Sequence, residues 1–224
     1  MDFNFGALAE TSFVTNTNSY LKAFDIYEVN LTKFERSSLN GKDGVNTYPV
    51  ITIEFGNDTG IFSENLFIPT KDEDFVRREN ETSHKLMPSR FDQFQFTIMQ
   101  IVETLNPQDA QKIKNSASKL KTIDDFVKVT TQALEKVKNV KCFLKLIGKV
   151  SNGTWYARLP NSCIINGDGK CVPIRFVSLD RNDLKFSPYE VGKMQEFQKA
   201  KPTNMDSVDD SKSDGGLDLN DIQL

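Results

Sequence analysis

Residues 140–159 combine cationic and aromatic side chains in a pattern that could bind a polyanion. The pair Asn152-Gly153 predicts a two-residue type I′ turn, because both positions of that turn need a positive φ, and the segment is therefore expected to form a β-hairpin. Directly opposed hairpin residues share a face. One face then carries Lys141, Phe143, Lys145, Ile147, Lys149, Tyr156 and Arg158, with no acidic residue among them. Cations that meet phosphates beside rings that stack on bases are typical of single-strand binding surfaces.

The opposite face of the same hairpin has the composition of a core. It would carry Cys142, Leu144, Leu146, Gly148, Val150, Trp155, Ala157 and Leu159. An ordinary structural explanation of the cationic face stays open at this point. Outward lysines are common in edge strands, and a neighbouring helix could cover Phe143 and Ile147.

Four further cations lie in segments predicted to be loops. They are expected to close over a bound strand, and they are Arg36, Lys42, Arg77 and Arg78. In the hypothesis as a whole, Lys141, Lys145, Lys149 and Arg158 neutralise phosphates. Phe143 and Tyr156 stack on bases.

Catalytic and metal chemistry have little support in the sequence. The only histidine, His84, lies in a charged loop, and no Ser/His/Asp or Cys/His arrangement or P-loop motif is present. The three cysteines, at 142, 163 and 171, include no closely spaced pair of the kind that structural zinc favours. The chain is therefore predicted not to be an enzyme and to use no metal or cofactor.

Composition predicts a soluble globular protein. Hydrophobic residues make up 38% of the 224 residues and charged residues 26%, and no apolar run approaches the length of a membrane span. The first ten residues lack the basic and then apolar layout of a signal peptide. An odd number of widely spaced cysteines fits a reducing compartment. These features predict a cytoplasmic protein without a membrane partner.

The net charge of −3 is unevenly distributed. Residues 203–224 contain six aspartates and one lysine, so the first 202 residues carry +2. Between Lys112 and Lys149 ten lysines face three acidic residues. The basic body is expected to bind polyanions, and the acidic tail is expected to compete with them for the basic surface.

The order of predicted elements indicates an α+β fold. Three strands, at 20–34, 50–55 and 61–68, would form an antiparallel meander, and apolar spacings of three and four predict helices over about 90–139. The hairpin follows, and Ser187-Pro188 begins a last helix. This is the order of an OB-like five-stranded antiparallel β-barrel with a helical insertion between strands three and four and a C-terminal helix. The predicted organisation is an arm at 1–19, the OB-like domain at 20–202 and a disordered acidic tail at 203–224.

Three stretches resemble those of bacteriophage single-stranded DNA-binding proteins, in particular of the crAss-like group. They are YLKAFDIYEVNLTKF near the start, the hairpin VKCFLKLIGKVSNGTWYARLP, and the end DLNDIQL. The resemblance implies a protein of the host cell cytoplasm that coats single-stranded DNA with little sequence preference during replication or recombination. It also implies that replication or recombination proteins bind the tail.

The C-terminal tail places aliphatic residues among aspartates. The residues expected to act there are Asp214, Leu217, Asp218, Leu219, Asp221, Ile222 and Leu224. Aspartates could occupy the basic hairpin face when DNA is absent, and the aliphatic end could dock on a partner. A solvated terminus without a partner stays open as an alternative.

Two other functions for the whole chain stay open. One is a structural or protein-interaction protein, such as a virion component, that does not bind nucleic acid. The other is an OB-type carbohydrate binder, which would be expected to have more aromatic rings and fewer lysines. A steep salt dependence of binding would separate DNA binding from both.

Overall fold

The computed structural model describes residues 19–41 and 44–199, in which one mostly antiparallel sheet packs against helices. This arrangement confirms the predicted α+β class. The strands are β1 (Asp25–Asn40), β2 (Thr47–Asn57), β3 (Gly60–Phe67), β4 (Arg78–Glu79), β5 (Leu86–Met87), β6 (Lys141–Ser151), β7 (Thr154–Arg158), β8 (Cys163–Ile165), β9 (Cys171–Pro173) and β10 (Val177–Ser178). The helices are α1 (Arg90–Leu105), α2 (Pro107–Asn115), α3 (Ile123–Glu135) and α4 (Pro188–Lys199).

The meander of β1, β2 and β3 forms one half of the main sheet. In β2, Ile51, Ile53 and Phe55 are fully buried in the core, so the residues between them point to the opposite face. β1 is long enough to pair with two strands. Its residues 25–30 pair with β6, and its residues 30–40 pair with β2. A register shift between Leu31 and Lys33 lies just after the change of neighbour, where a bulge lets the strand bend.

The hairpin has the register that its turn residues predict. Ser151 pairs with Thr154, and the ladder continues to Ile147 opposite Arg158. Asn152 and Gly153 have φ angles of 49° and 77°, as a type I′ turn requires. The sheet order is β10-β6-β1-β2-β3, with β7 paired to β6.

No main-chain ladder joins β3 to β7 in the part of the chain that the structure describes, so strand pairing does not close the sheet. A side chain links the two strands instead. The main-chain N–H of Leu159, just after β7, donates to the Glu64 carboxylate of β3 at 2.8 Å.

Three capped helices connect β3 to β6. Ser89 and Thr122 cap α1 and α3 through capping boxes with Asp92 and Asp125, and the Asn106 side chain caps α2 with Pro107 at its first position. Their apolar faces complete the core against the sheet. The buried α1 and α3 residues of this core include Phe94, Ile98, Ile101, Val102, Leu105, Phe126, Val127 and Leu134.

The first described residues lie against the edge of β3. Ile61 donates to the Ser19 carbonyl at 2.9 Å and accepts from the Leu21 N–H at 2.8 Å. Gly60 permits this approach, since a Cβ there would collide with the Ser19 carbonyl. The rest of the predicted arm and the acidic tail lie outside the described residues. Within the described ranges, no helix is both long enough and apolar enough to cross a membrane.

Candidate nucleic-acid interface

The core face of the hairpin is buried at its base and open near its turn. Cys142, Leu144, Leu146 and Leu159 are buried as predicted. Val150 is 47% exposed, so its predicted place in the core is wrong. The reason is that β1 accompanies β6 only as far as Leu146, and the hairpin projects beyond that point.

Trp155 lies in a small aromatic cluster rather than in the main core. Its ring contacts Phe24 and Phe197, with centroid distances of 5.6 and 5.5 Å. Gly148 makes room for this cluster, because a Cβ there would collide with Phe24 and Trp155. The cluster ties α4 to the hairpin.

Lys145 is not on an exposed face, contrary to the prediction. Only 2% of the residue is accessible, and its ammonium lies 3.2 Å from both carboxylate oxygens of Glu190. It also donates to the Lys185 carbonyl at 3.0 Å and lies over the Phe186 ring. The helix α4 and the segment before it therefore cover this part of β6, and Lys145 has no access to a phosphate in this arrangement.

The remaining predicted residues of the hairpin differ in accessibility. Tyr156 is 54% exposed, and Lys149 lies directly opposite it in the ladder. Lys141 is exposed with its ammonium 3.5 Å from Glu28. Arg158 is partly buried and donates to the Leu159 carbonyl and to Asn161. Phe143 is partly buried on β6.

Of the cations predicted to lie in loops, Arg36 lies in β1 and Arg78 in β4, so their predicted placement is wrong, and both are paired with acids. Arg36 donates to Asp124 of α3 at 2.8 Å, and Arg78 lies 3.7 Å from Glu73. Both remain about half exposed, so the pairs are on the surface. Lys42 lies outside the described residues.

Arg77 is a structural residue in this fold. Its guanidinium binds the Asp92 carboxylate in a two-bond arrangement, at 2.8 and 3.0 Å, and also donates to the Gly169 carbonyl and the Cys171 sulfur. This pairing raises the pKa of Arg77, and, together with hydrogen bonds from Ser89, it overcomes desolvation to lower the pKa of Asp92. Arg77 therefore joins the start of α1 to the β8–β9 hairpin instead of closing over a ligand.

A second surface, which the sequence analysis did not identify, lies on the side of the meander opposite the core. We name Leu39, Tyr48, Val50, Thr52, Asn65 and Phe67 the outer sheet face. Tyr48 and Phe67 are partly exposed there, with an edge-to-face ring contact at 6.1 Å. Val50 lies opposite Phe67 in the ladder and is fully buried although it points away from the core. The two rings therefore lie beside a buried apolar side chain.

Hydrogen bonds order the polar centre of the outer sheet face. The Thr52 hydroxyl lies 2.8 Å from the Ser37 hydroxyl and donates to the Asn65 side chain at 2.8 Å, so one row crosses β1, β2 and β3. Charges lie at one end of the face, where Lys33 pairs with Glu35 at 2.8 Å. The alternation of Tyr48, Val50 and Thr52 is visible in the sequence, but the contact between Tyr48 and Phe67 depends on the β2–β3 register.

The environments of the three cysteines disfavour their thiolate forms. Burial raises the pKa of the Cys142 and Cys163 thiols to about 12, and desolvation is the largest cause of the raised pKa of Cys171. His84 is exposed beside Glu79 at 2.9 Å. Across residues 19–41 and 44–199, no group of three or more His, Cys, Asp or Glu side chains is placed to hold a metal ion.

No protein-family model, curated protein or solved structure matches this chain. In the part of the chain that the structure describes, the two candidate binding surfaces are the outer sheet face and the exposed part of the hairpin.

Proposed function

We propose that this protein binds single-stranded DNA with little sequence preference. The observation that carries the proposal is the pair of Tyr48 and Phe67, two partly exposed rings held together on the outer sheet face. Each base offers a flat face to an aromatic ring, so such a pair supports stacking without reading base edges. The ordered row of Ser37, Thr52 and Asn65 beside the rings offers hydroxyl and amide groups to sugar and base edges.

We further propose that the main sheet is an OB-like five-stranded barrel. The strand order β3-β2-β1-β6-β7 and the helical connection between β3 and β6 support this proposal. The bond from Leu159 to Glu64 bridges the place where strand pairing would complete such a barrel. In OB folds, the faces of strands two and three and the loops between strands one and two and between four and five bind oligonucleotides. Here these are β2, β3, residues 41–46 and the Asn152-Gly153 turn.

The hairpin contributes a second set of contacts in this proposal. Tyr156 is exposed to stack on a base, and Lys149 opposite it would approach phosphates. Lys141 and Arg158 add positive charge along the same hairpin. Lys145 has a structural role instead.

The C-terminal tail would act in replication or recombination, as the resemblance to phage proteins implies. In this proposal its aspartates compete with DNA for the basic surface, and its aliphatic end binds another replication or recombination protein. The excess of lysines between Lys112 and Lys149 supports the competition, because an acidic segment on the same chain is attracted to it.

The test is a titration of a fluorescently labelled oligothymidine strand with the full chain at several salt concentrations. For three phosphate contacts, log affinity against log salt is expected to slope at about −2, since each contact on a single strand contributes about −0.7. Duplex DNA of the same length serves as the control and is expected to bind more weakly. An affinity for the single strand that does not change with salt would rule out the proposal.

A protein-interaction role without nucleic acid is the second candidate. It is favoured by the pairing of predicted DNA-binding cations with acidic residues, as in Arg36 with Asp124 and Lys145 with Glu190. Cations that are already paired with acidic residues would release few counterions from DNA on binding. The same titration separates the two functions, because this candidate predicts no measurable oligonucleotide binding.

A further inference from the structure

The edge strand β3 has an open main-chain edge. It is the last strand on its side of the main sheet. At its outer edge, Ile61 is the only described residue that exchanges main-chain hydrogen bonds with another described segment, Ser19–Leu21. Because main-chain groups alternate along a strand, the N–H and C=O groups of Ser63, Asn65 and Phe67 point to the same edge as those of Ile61. In the part of the chain that the structure describes, these groups have no main-chain partner.

The free stretch has only one of the features that usually protect an edge strand. Natural edges carry lysine, proline, a bulge, an inward-pointing charge or a covering segment. From Phe62 to Phe67 there is no lysine or proline, and the β2–β3 register is continuous. The one charge, Glu64, is on the core side of β3 and is engaged by the Leu159 N–H. The first proline after the strand is Pro69. Because proline has no main-chain N–H, pairing along this edge would end there.

We propose that β3 pairs with β3 of a second copy of this chain, in an antiparallel ladder centred on Asn65. This register places Asn65 opposite Asn65 of the second copy and Ser63 opposite Phe67 of the second copy. Each of these pairs exchanges two N–H···O=C bonds, as in any closely spaced antiparallel pair. The interface has twofold symmetry, so each copy contributes the same residues to it.

A second copy fits this edge because the sequence around Asn65 is self-complementary. No like charges face each other in the proposed register, and the small Ser63 meets the large Phe67. The length of the free edge also agrees with this register. Ser19–Leu21 already pairs with the edge at Ile61. In the proposed register, the ladder with the second copy ends before it reaches Ile61.

Dimerisation would extend the surface proposed above for DNA. The twofold axis of an antiparallel strand pair is perpendicular to the sheet, so both outer sheet faces point in the same direction. The two Tyr48–Phe67 pairs would then lie on one continuous surface across the axis. The dimer uses the β3 edge that pairing with β7 would otherwise occupy, so it requires the OB-like barrel to stay open between these strands, as it is in the described residues. It does not depend on nucleic-acid binding, so the dimer and DNA binding can fail separately.

Sedimentation of the full chain without nucleic acid tests the dimer. The expected mass is twice the 25.4 kDa of one chain, with dissociation on dilution. Ser63→Pro removes an N–H from the open edge while leaving the β2 side of the ladder intact, since proline is tolerated at solvent-facing edge positions. It is expected to weaken association about tenfold or more, and the matched control Ser63→Ala is expected to leave association unchanged.

Asn65→Asp provides a test that does not alter the main chain. It places two like charges opposite each other at the twofold axis, and it keeps an oxygen that can accept from Thr52. Its dimer is expected to be weakened at low salt and to recover as salt screens the repulsion. A wild-type chain of monomer mass at every concentration, or a Ser63→Pro dimer as stable as that of Ser63→Ala, would overturn the proposal.

Discussion

Lys145 and Glu190 form an ion pair inside the protein, where their side chains retain 2% and 12% of their exposure. The pair joins β6 to α4, and its two residues are 45 positions apart in the chain. Glu190 also accepts the Ser187 N–H at 2.6 Å, so its carboxylate is held at the start of α4. One lysine of the predicted DNA-binding face of the hairpin is thereby assigned to stability.

Lys145→Met is expected to reduce the free energy of unfolding by about 3 kcal/mol, because it leaves the Glu190 carboxylate buried without its cation. Lys141→Met is the matched control, since Lys141 is on the same strand with its ammonium in solvent. That variant is expected to change stability by less than about 1 kcal/mol. Denaturant unfolding of both variants measures the difference. Equal losses in the two variants would contradict a structural role for the Lys145–Glu190 pair.

Tyr48→Ala is expected to weaken binding to an oligothymidine strand by about 1 to 3 kcal/mol, the usual contribution of one stacked base. Phe67→Ala and Tyr156→Ala are expected to act in the same range. Tyr189→Ala removes an exposed tyrosine of α4, away from the outer sheet face, and is expected to bind as the wild type does. Fluorescence anisotropy measures the affinities. Wild-type affinity in Tyr48→Ala, with folding verified by thermal unfolding, would remove the outer sheet face from the interface.

Glu64 is expected to make stability depend on pH. Burial raises its pKa above the ordinary 4.5, outweighing the Leu159 N–H and the Arg158 charge, so the folded protein keeps this proton to a higher pH than the unfolded chain does. The folded state therefore loses stability as pH rises from 4.5 through the raised folded pKa. Glu64→Gln lacks this loss and can still accept the Leu159 N–H. Its stability relative to wild type should increase from about pH 4.5 to about pH 7, measured by denaturant unfolding. A difference that does not change with pH would be inconsistent with this role.

Removing residues 205–224 is expected to raise affinity for single strands, most clearly at low salt, where an intramolecular competitor is least screened. A full-length variant with serine in place of Leu217, Leu219, Ile222 and Leu224 keeps every aspartate. It should therefore retain wild-type DNA affinity and lose only partner binding. Titrations of the three proteins at low and high salt measure the competition. If the truncated chain binds DNA no more tightly than the full chain at low salt, the tail does not compete.

Local chemistry was sufficient to predict several elements from the sequence. Asn152-Gly153 predicted both the hairpin and its register, because only certain residues tolerate the φ angles of that turn. Thr122 and Asn106 are local signals of the same kind for the start of two helices, since their side chains satisfy main-chain N–H groups a few residues away. The spacing of apolar residues also predicted the meander and the helices that follow it. Each of these signals acts over a few residues and does not depend on the rest of the fold.

Tertiary structure decided which outward-pointing residues are accessible. Period-two alternation places Lys145 and Tyr156 on one side of the hairpin, yet α4 covers the first and leaves the second exposed. The pairing of Arg77 with Asp92 and the contact of Tyr48 with Phe67 join residues that lie far apart in the chain. Such contacts depend on how β1 divides its length between two neighbours and on where α4 docks. Both are set by packing of the whole core, because a side chain's solvent exposure depends on every segment that packs around it and not only on its own strand.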